Sequence, residues 1–510
     1  LDPDIRDQLA QVRRWAERTD TGEVRELRGI PERARIWPLV TSTVDNCLGS
    51  DCPRLSDCPV LKARRRAQDA DVVVVNHHLL FADLALKQGG FGEVLPGAEA
   101  IVVDEAHQIP DVATRFFSRG VSAWQIRDLG RDTLAATAET EGSLKLLRAP
   151  LDTLDQAATR LASGAHNLPE RGDWRWLNRL GGELEALLDA LRGLAEATDS
   201  LQSSSRELAA CHDRALALAD TLALLLAGDP EHGVRWFTCN RGRLSLTLTP
   251  TDIAEPFRQL RAELESTWIM TSATLAVGGG FQHFIERLGL DEPATELIKS
   301  PFDYSSQARL WLPRGLPEPG DPAHTEALLE AVLPLLHASR GRAFLLFTSH
   351  RALRVAAEWL RRHSDFRLLI QEDAPRDVLL EEFRTAPGSL LLGAASFWEG
   401  VDVRGEALSV VVIDKLPFAA PDDPVLSATI RGLREQGGNP FAKLQLPAAV
   451  IALKQGAGRL IRHTDDRGVL VLGDPRITTR GYGRVFLASL PAMPRCRDAG
   501  EAGAFLRGLE

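Results

Sequence analysis

The stretch from Ile101 to His107 reads I-V-V-D-E-A-H, an apolar run that ends in two adjacent carboxylates followed by Ala and His. Such a run predicts a buried β-strand, and polar residues at its carboxyl end predict a ligand site at the edge of a parallel sheet. Paired carboxylates there are typical of nucleotide hydrolysis, in which Asp104 would hold Mg²⁺ and Glu105 would activate the attacking water. The alternative is a strand that ends in a solvated acidic turn.

Length and composition are those of an ordinary globular protein. The chain has 510 residues, of which 44% are hydrophobic and 25% charged, and this length predicts about three domains. A net charge of −10 gives no global basic signature, although nucleic acids bind to local stripes rather than to net charge. We expect no membrane partner, because no apolar run approaches the roughly 18 residues of a membrane span and the acidic first residues do not resemble a secretory signal.

Two blocks of alternating strands and helices flank a helical block. Strand-like apolar runs in the first block are Val72–Val75, Ile101–Val103 and Trp268–Met270. Those of the second block are Ala343–Phe347, Leu390–Leu392, Val410–Ile413 and Val469–Leu472. The intervening block has the Leu spacing of amphipathic helices, as in Leu184, Leu187, Leu188, Leu191 and Leu194. This alternation predicts an α/β fold with parallel sheets that are covered on both faces.

A basic motif near the C-terminus suits a polyphosphate. Gln455 to Arg462 reads Q-G-A-G-R-L-I-R and places Arg459 and Arg462 three residues apart, on one face if the segment is helical. Guanidinium groups are planar, permanently charged and bidentate, so this pair could stabilise charge on a γ-phosphoryl group. A solvated basic helix end is the alternative.

Two further motifs contain candidate binding residues. Ser396 to Asp402 reads S-F-W-E-G-V-D. Here Gly400 permits close backbone approach, Asp402 could accept a hydrogen bond from a ribose hydroxyl or an arginine, and Trp398 is either a base-stacking surface or a core aromatic. The segment T-S-A-T begins at Thr271, directly after a predicted strand. Its hydroxyls could link a bound phosphate to a neighbouring domain, although an ordinary helix cap has the same residues.

Three of the six cysteines are clustered, at Cys47, Cys52 and Cys58. Their spacing does not fit the C-x2-C pairs of a zinc ribbon, whereas thiolates are the usual ligands of iron–sulfur clusters. A zinc site and unligated thiols remain alternatives. The basic residues that follow could contact a DNA backbone or form a solvated helix face: Lys62, Arg64 and Arg65.

In their order and approximate spacing, D-E-A-H, T-S-A-T, L-F-T-S-H, S-F-W-E-G-V-D and Q-G-A-G-R-L-I-R resemble the motifs of superfamily 2 helicases. The set is most similar to the iron–sulfur helicases of the XPD/DinG type, and within them to the bacterial DinG and YoaA branch. This resemblance implies two RecA-like parallel-sheet motor domains, with an iron–sulfur domain and an all-helical arch inserted in the first. The implied boundaries are residues 1–66 for the C-terminal part of the iron–sulfur domain, 67–120 and 236–276 for an incomplete first motor domain, 121–235 for the arch, and 277–510 for the second motor domain.

The resemblance also implies an activity, namely ATP-dependent unwinding in the 5′→3′ direction on single-stranded DNA, in repair or replication-stress processing. The implied coupling residues are His107, Ser272 and Thr274. Those that reach the nucleotide from the second motor domain are Gln455, Arg459 and Arg462. Gly400 and Asp402 would connect the nucleotide cleft to DNA. The three clustered cysteines would supply three of the four ligands of a 4Fe–4S cluster.

The implied partners are single-stranded and forked DNA, ATP with Mg²⁺, and an unidentified repair or replication protein. The resemblance further implies a monomer located in the cytoplasm and associated with the nucleoid.

The sequence contains no G-x-x-x-x-G-K-S/T phosphate loop, and no cysteine precedes Cys47 to act as the first cluster ligand. A missing N-terminal segment would explain both, and we expect the polypeptide as written to hydrolyse ATP poorly. Two other classes remain open: a non-catalytic DNA-binding or adaptor protein that has lost its motor, and a DinG-like nuclease. Intact Glu105, Arg459 and Arg462 argue against the first, and the clustered cysteines argue against the second.

Overall fold

The computed structural model describes residues 3–27, 29–31, 34–42, 47–49, 52–88, 95, 97–140, 142–228, 233–386, 388–394, 397, 407–419, 423–435 and 437–508. The chain divides into two compact units. Unit 1 comprises residues 1–101, 109–268 and 422–429, and unit 2 comprises residues 102–108, 269–421 and 430–510. No helix among the described residues is long and apolar enough to cross a membrane.

The first half of the chain forms helices α1 (Pro3–Ala16), α2 (Trp37–Val40), α3 (Pro59–Gln68), α4 (His77–Gln88), α5 (Ile109–Phe116), α6 (Ala123–Ala136), α7 (Ser143–Gly164), α8 (Gly181–Asp199), α9 (Arg206–Ala227) and α10 (Ala254–Glu263). Its strands are β1 (Ala100–Val103), β2 (Arg119–Ser122), β3 (Arg171–Asp173), β4 (Val234–Asn240), β5 (Arg243–Thr249) and β6 (Thr267–Met270).

The second half forms helices α11 (Gln282–Leu288), α12 (Tyr304–Gln307), α13 (His324–Ala338), α14 (His350–His363), α15 (Arg376–Thr385), α16 (Pro424–Glu435), α17 (Leu446–Ala457), α18 (Arg476–Thr479), α19 (Gly483–Ser489) and α20 (Ala499–Arg507). Its strands are β7 (Ala308–Trp311), β8 (Ala343–Leu346), β9 (Arg367–Ile370), β10 (Ser389–Gly393), β11 (Val410–Ile413), β12 (Gly468–Leu472) and β13 (Arg495–Cys496).

Helices α6 to α9 of unit 1 pack around one apolar core. The five leucines that predicted an amphipathic helix all lie on α8 and are all buried, with Leu187, Leu191 and Leu194 fully inaccessible. Helix α6 begins with a capping box, in which Ser122 and Gln125 satisfy each other's backbone N–H groups. Local capping and apolar periodicity therefore agree on this helical layer.

The expectation of an all-helical insertion needs correction, because β2, β5, β4 and β3 form a four-stranded antiparallel sheet in the same unit. Strand β3 and the first residues of β4 lie within the bounds 121–235 that were expected to be all-helical. Strands β4 and β5 form a hairpin closed by Arg241 and Gly242, both with positive φ. Such a two-residue turn matches the twist of antiparallel strands. Alternating apolar residues along β5 face the helical core.

The predicted strand at Val72–Val75 is wrong, since this segment has no regular secondary structure. Val72 and Val74 are 80% and 92% exposed. An apolar run becomes a strand only where a neighbouring strand pairs with its backbone. Residue type alone could not reveal whether such a neighbour is present.

Unit 2 is built on a seven-stranded parallel sheet in the order β13-β7-β12-β11-β8-β10-β9. All four strands predicted for this block are present, and Val410–Ile413 has the predicted bounds. These central strands are buried on both faces, where helices cover two separate apolar cores. This confirms the predicted α/β class, because both-face burial is what makes parallel strands continuously apolar.

Asp414 fixes the carboxyl edge of this sheet. It directly follows β11 and is fully buried. Its carboxyl group accepts hydrogen bonds from the backbone N and the hydroxyl of Thr348, at 3.0 and 3.4 Å, and thereby holds the second residue beyond β8. Burial raises the pKa of Asp414 to about 7, although Lys415 and the Thr348 hydrogen bonds oppose this. The folded protein therefore retains a proton on Asp414 at pH values where the unfolded chain has lost it.

We predict that stability from Asp414 is greatest below about pH 4 and is lost as the pH rises through about 7. Asp414→Asn should remove this dependence, so the stability of the variant relative to the wild type should increase between pH 5 and pH 8. The change between pH 5 and pH 8 should be about 3 kcal/mol, because the two pH values span about two of the pH units over which the folded and unfolded states differ in protonation. Urea denaturation at both pH values measures it, with the exposed Asp365→Asn as the control. Parallel pH profiles for the wild type and Asp414→Asn would contradict the prediction.

Candidate active site at the carboxyl end of the first parallel strand pair

Strands β1 and β6 are paired, and backbone hydrogen bonds continue beyond their carboxyl ends. The backbone N of Thr271 donates to Val103 O at 2.8 Å, and the backbone N of Ala106 donates to Thr271 O at 2.9 Å. The D-E-A-H and T-S-A-T segments, which are more than 160 residues apart, therefore lie side by side in unit 2. This placement follows from parallel pairing, which brings strand ends to the same edge.

Asp104 is held by hydrogen bonds to its carboxylate, whereas Glu105 is distinguished by its backbone conformation. Asp104 Oδ1 accepts hydrogen bonds from the backbone N of Glu105 at 2.9 Å and from Thr271 Oγ1 at 3.1 Å. Asp104 remains exposed, so its oxygens are accessible to a ligand. Glu105 has a φ of 49°, a left-handed conformation that costs free energy for a residue with a Cβ and is often found at functional sites.

His107 connects these carboxylates to the T-S-A-T hydroxyls. Its side chain is 6% exposed. Nδ1 lies 2.9 Å from Ser272 Oγ, 3.3 Å from Glu105 Oε2 and 3.4 Å from Thr274 Oγ1. Nε2 contacts the Nε2 amide of Gln455. Because an amide nitrogen can only donate, this contact assigns the proton of a neutral imidazole to Nδ1, which then donates towards Ser272 or Glu105.

The pKa of Glu105 is lowered, chiefly by its hydrogen bond with His107. Partial burial opposes this shift, while the hydrogen bond from Ser272 and the positive charge of Arg459 add to it. Glu105 is 54% exposed, so the site presents an ionised carboxylate that is both oriented and open to water. This is the state required of a residue that orients an attacking water.

The Q-G-A-G-R segment contributes to the same unit. Gln455 lies on α17, and Arg459, which is 8% exposed, follows the end of that helix at Ala457. The expectation that Arg459 and Arg462 share a helical face is wrong, because both lie beyond α17. Asp466 stabilises the non-helical turn, since its Oδ2 accepts the backbone N–H groups of Arg462 and His463 at 2.7 and 2.8 Å.

Sequence reasoning missed two residues of this site. Thr271, whose hydroxyl was noted as part of T-S-A-T, was not among the predicted site residues, yet it donates to Asp104, as described above. Lys454 donates from Nζ to Ala276 O at 2.9 Å and so joins α17 to the segment after T-S-A-T. Burial lowers the pKa of Lys454. Its position next to Gln455 was the available signal.

Other predicted site residues lie elsewhere. Trp398, Gly400 and Asp402 are outside the described residues. The basic residues Lys62, Arg64 and Arg65 lie on α3 of unit 1, and Lys62 and Arg65 are exposed.

Two metal sites were predicted, an iron–sulfur cluster on the clustered cysteines and a Mg²⁺ ion on Asp104. Cys47 is exposed, Cys52 and Cys58 are partly buried, and the described part of the chain contains no group of three or more His, Cys, Asp or Glu residues that could hold a metal ion. Asp104 does fit Mg²⁺, which typically takes one or two carboxylates and fills its remaining positions with water and phosphate oxygens.

Comparisons with known proteins agree with this arrangement. The family model described as Helicase C-terminal domain matches residues 332–493, and the DEAD_2 model matches residues 43–126. The chain is 43% identical to the ATP-dependent DNA helicase YoaA of Escherichia coli over 97% of its own length and 78% of that protein. It is 41% identical to YoaA of Haemophilus influenzae over 99% of its own length and 80% of that protein. It is 34% identical to the ATP-dependent helicase DinG of Mycobacterium tuberculosis over 97% of its own length and 75% of that protein.

Two solved structures have the same fold. A structure titled XPD helicase superposes with a TM-score of 0.55 at 16% identity and covers 87% of this chain and 76% of that one. Xpd4 of S. tokodaii gives a TM-score of 0.53 at 17% identity, with 85% and 84% covered. These likenesses confirm the XPD-like α/β fold, and the sequence identities confirm the resemblance to the DinG and YoaA branch. The chain therefore belongs to the family of ATP-dependent DNA helicases that includes YoaA and DinG.

Proposed function

We propose that this member of the helicase family couples ATP hydrolysis to the unwinding of DNA and moves 5′→3′ on the single strand during repair or replication-stress processing. One observation carries the catalytic part of the proposal. His107 and Ser272 orient the ionised Glu105 at the carboxyl end of β1. Direction and pathway rest on the resemblance of the motif set to its branch.

In the proposed reaction, Asp104 would be the protein ligand of Mg²⁺, and the bound ion would neutralise charge on the nucleotide phosphates. Glu105 would orient the attacking water and accept its proton at the carboxylate. Its lowered pKa keeps it ionised at neutral pH. Arg459 and Arg462 would stabilise the charge that develops on the γ-phosphoryl group.

His107 would transmit the state of the hydrolytic site to the rest of the motor. A change at Glu105 alters the partner available to His107 Nδ1, and His107 Nε2 contacts Gln455 on α17. The hydroxyls of Ser272 and Thr274 also lie within hydrogen-bonding distance of Nδ1 and compete with Glu105 for its single proton. These contacts support a coupling role for His107 and for the three residues around it, which are Ser272, Thr274 and Gln455.

The proposed DNA contacts are Trp398, Lys62, Arg64 and Arg65, with Gly400 and Asp402 connecting them to the nucleotide site. Support for Lys62 and Arg65 is their exposure on one short basic helix. Single-stranded and forked DNA would be the substrates of a monomer. We further propose a repair or replication protein as partner and association with the nucleoid in the cytoplasm.

Directional unwinding separates an enzyme from an adaptor. We predict that the complete gene product, with any residues that flank this sequence, unwinds a duplex with a 5′ single-stranded overhang and leaves a 3′-overhang duplex intact. Glu105→Gln should lower DNA-stimulated ATP hydrolysis by about 10²-fold or more, because it removes the carboxylate but keeps its size. Its affinity for single-stranded DNA should stay unchanged.

Glu265→Gln is the matched control, because Glu265 is also a glutamate with positive φ, here 46°, and lies outside the site. It should retain full activity. Unwinding from the 3′ overhang would refute the direction, and full ATP hydrolysis by Glu105→Gln would refute the assigned chemistry. Nucleolytic shortening of the labelled strand would instead favour the nuclease alternative.

We propose that Cys47, Cys52 and Cys58 provide three thiolates of a 4Fe–4S cluster in the complete protein. Spacing and family membership support this assignment. We expect about four iron atoms per anaerobically purified protein and loss of that iron in Cys52→Ser. Cys496→Ala, which changes a buried cysteine of β13, should retain it. Iron-free wild-type protein, or bound zinc in place of iron, would contradict the proposal.

A further inference from the structure

A short 3₁₀ helix in unit 1, Trp174–Leu180, separates buried from exposed side chains with a period of three. Leu177 and Leu180 are 1% and 4% exposed and belong to the helical core. Trp174 packs against the same core. The residues between them are exposed. One side of this helix is therefore packed on the core, and the other side presents polar and aromatic side chains to solvent.

Trp176 is the large aromatic of that outer face and is 54% exposed. Its ring is nevertheless held in place. A Cβ on Gly172 would lie 3.1 Å from Trp176 Cδ1 and 2.8 Å from the ring of Phe237, so the glycine on β3 allows the indole to lie against the backbone. Phe237 is itself fully buried. A rigid aromatic surface that remains exposed loses little conformational entropy when a ligand stacks on it.

The indole borders a surface cavity of about 530 Å³, which is lined by Asp173, Arg175, Trp176, Asn178 and Arg179. The cavity is open to solvent along most of its length, as a surface that binds an extended strand would be. Asp173 does not make the cavity strongly anionic, because Arg175 Nε donates to both of its carboxylate oxygens, at 3.0 and 3.2 Å. Arg179 then adds a positive charge and Asn178 an amide. Both are exposed.

We infer that Trp176 is a stacking surface for an unpaired base of single-stranded DNA, with Arg179 contacting a neighbouring phosphate. An aromatic face beside arginines is the arrangement that binds single strands without sequence preference. The amide of Asn178 can hydrogen-bond to a base edge or a phosphate. This inference rests on DNA being the substrate and adds a binding site outside the candidate active site.

Photocrosslinking tests the contact without a substitution. An oligothymidine with one 5-iodouracil base would be irradiated with the complete wild-type protein, and the attached peptide would be identified by mass spectrometry. We expect attachment at Trp176. Because no ATP hydrolysis or movement is needed, a wrong direction or a failed unwinding assay leaves this result unaffected.

Variants test the energetics. Trp176→Ala should weaken binding of a short single-stranded DNA about tenfold, whereas Trp176→Phe, which keeps an aromatic face, should stay within about threefold of the wild type. Arg179→Ala should reduce the slope of log affinity against log salt concentration by about 0.7, the value for one phosphate, while Trp176→Ala should leave that slope unchanged. The control is Trp124→Ala, since Trp124 lies on α6 of the same unit and is 44% exposed.

Unchanged affinity of Trp176→Ala, together with crosslinks elsewhere, would overturn the inference. Equal losses for Trp124→Ala and Trp176→Ala would also overturn it, because they would indicate a general surface effect. Stronger binding of an RNA oligomer than of DNA, with loss of that preference in Trp176→Ala, would reassign the site to RNA.

Discussion

The hydrogen bonds of His107 join three segments that are distant in sequence. Its Nδ1 lies within hydrogen-bonding distance of Ser272, 165 residues further along the chain, and its Nε2 contacts Gln455, 348 residues away. The side chain is almost fully buried, so each ring nitrogen requires a partner. With Gln455 donating to Nε2, a neutral ring donates from Nδ1 towards the acid edge of the site. The tautomer, the orientation of Glu105 and the position of α17 thus depend on one another.

Strand pairing provides the framework for this network. Parallel pairing of β1 with β6 brings D-E-A-H beside T-S-A-T, and Lys454 ties α17 to the segment that follows. The helices of unit 1 have a separate apolar core and their own antiparallel sheet. A block with its own core can be inserted between β1 and β6 without contributing side chains to the acid site. The same independence leaves its outer face, including Trp176, available for another ligand.

Much of the fold could be predicted because parallel strands buried on both faces are continuously apolar. Val410–Ile413 was recognised for this reason, and the leucines of α8 for their helical period. Predictions failed where the outcome depends on a distant partner. Val72–Val75 has the composition of a strand but no regular structure, and the block expected to be all-helical contains β3, which pairs with β4. Arg459 and Arg462 do not share a helix, because Asp466 accepts hydrogen bonds from the backbone N–H groups of Arg462 and His463 and stabilises a turn there. Thr271 lies in the T-S-A-T motif, but nothing in the motif indicated its hydrogen bond to Asp104. Trp176 lay in no recognised motif, although W-R-W-L-N-R interleaves aromatic and basic residues.

A double-mutant cycle between His107 and Gln455, measured as DNA-stimulated ATP hydrolysis by the complete gene product, tests the proposed coupling most directly. If the two side chains act through their shared hydrogen bond, His107→Ala and Gln455→Ala should each reduce the rate, and the double variant should lose little more than the worse single variant. The resulting coupling free energy should be about 1 kcal/mol or more. Additive losses, with no coupling free energy, would contradict the account, because Gln455 would then act independently of His107.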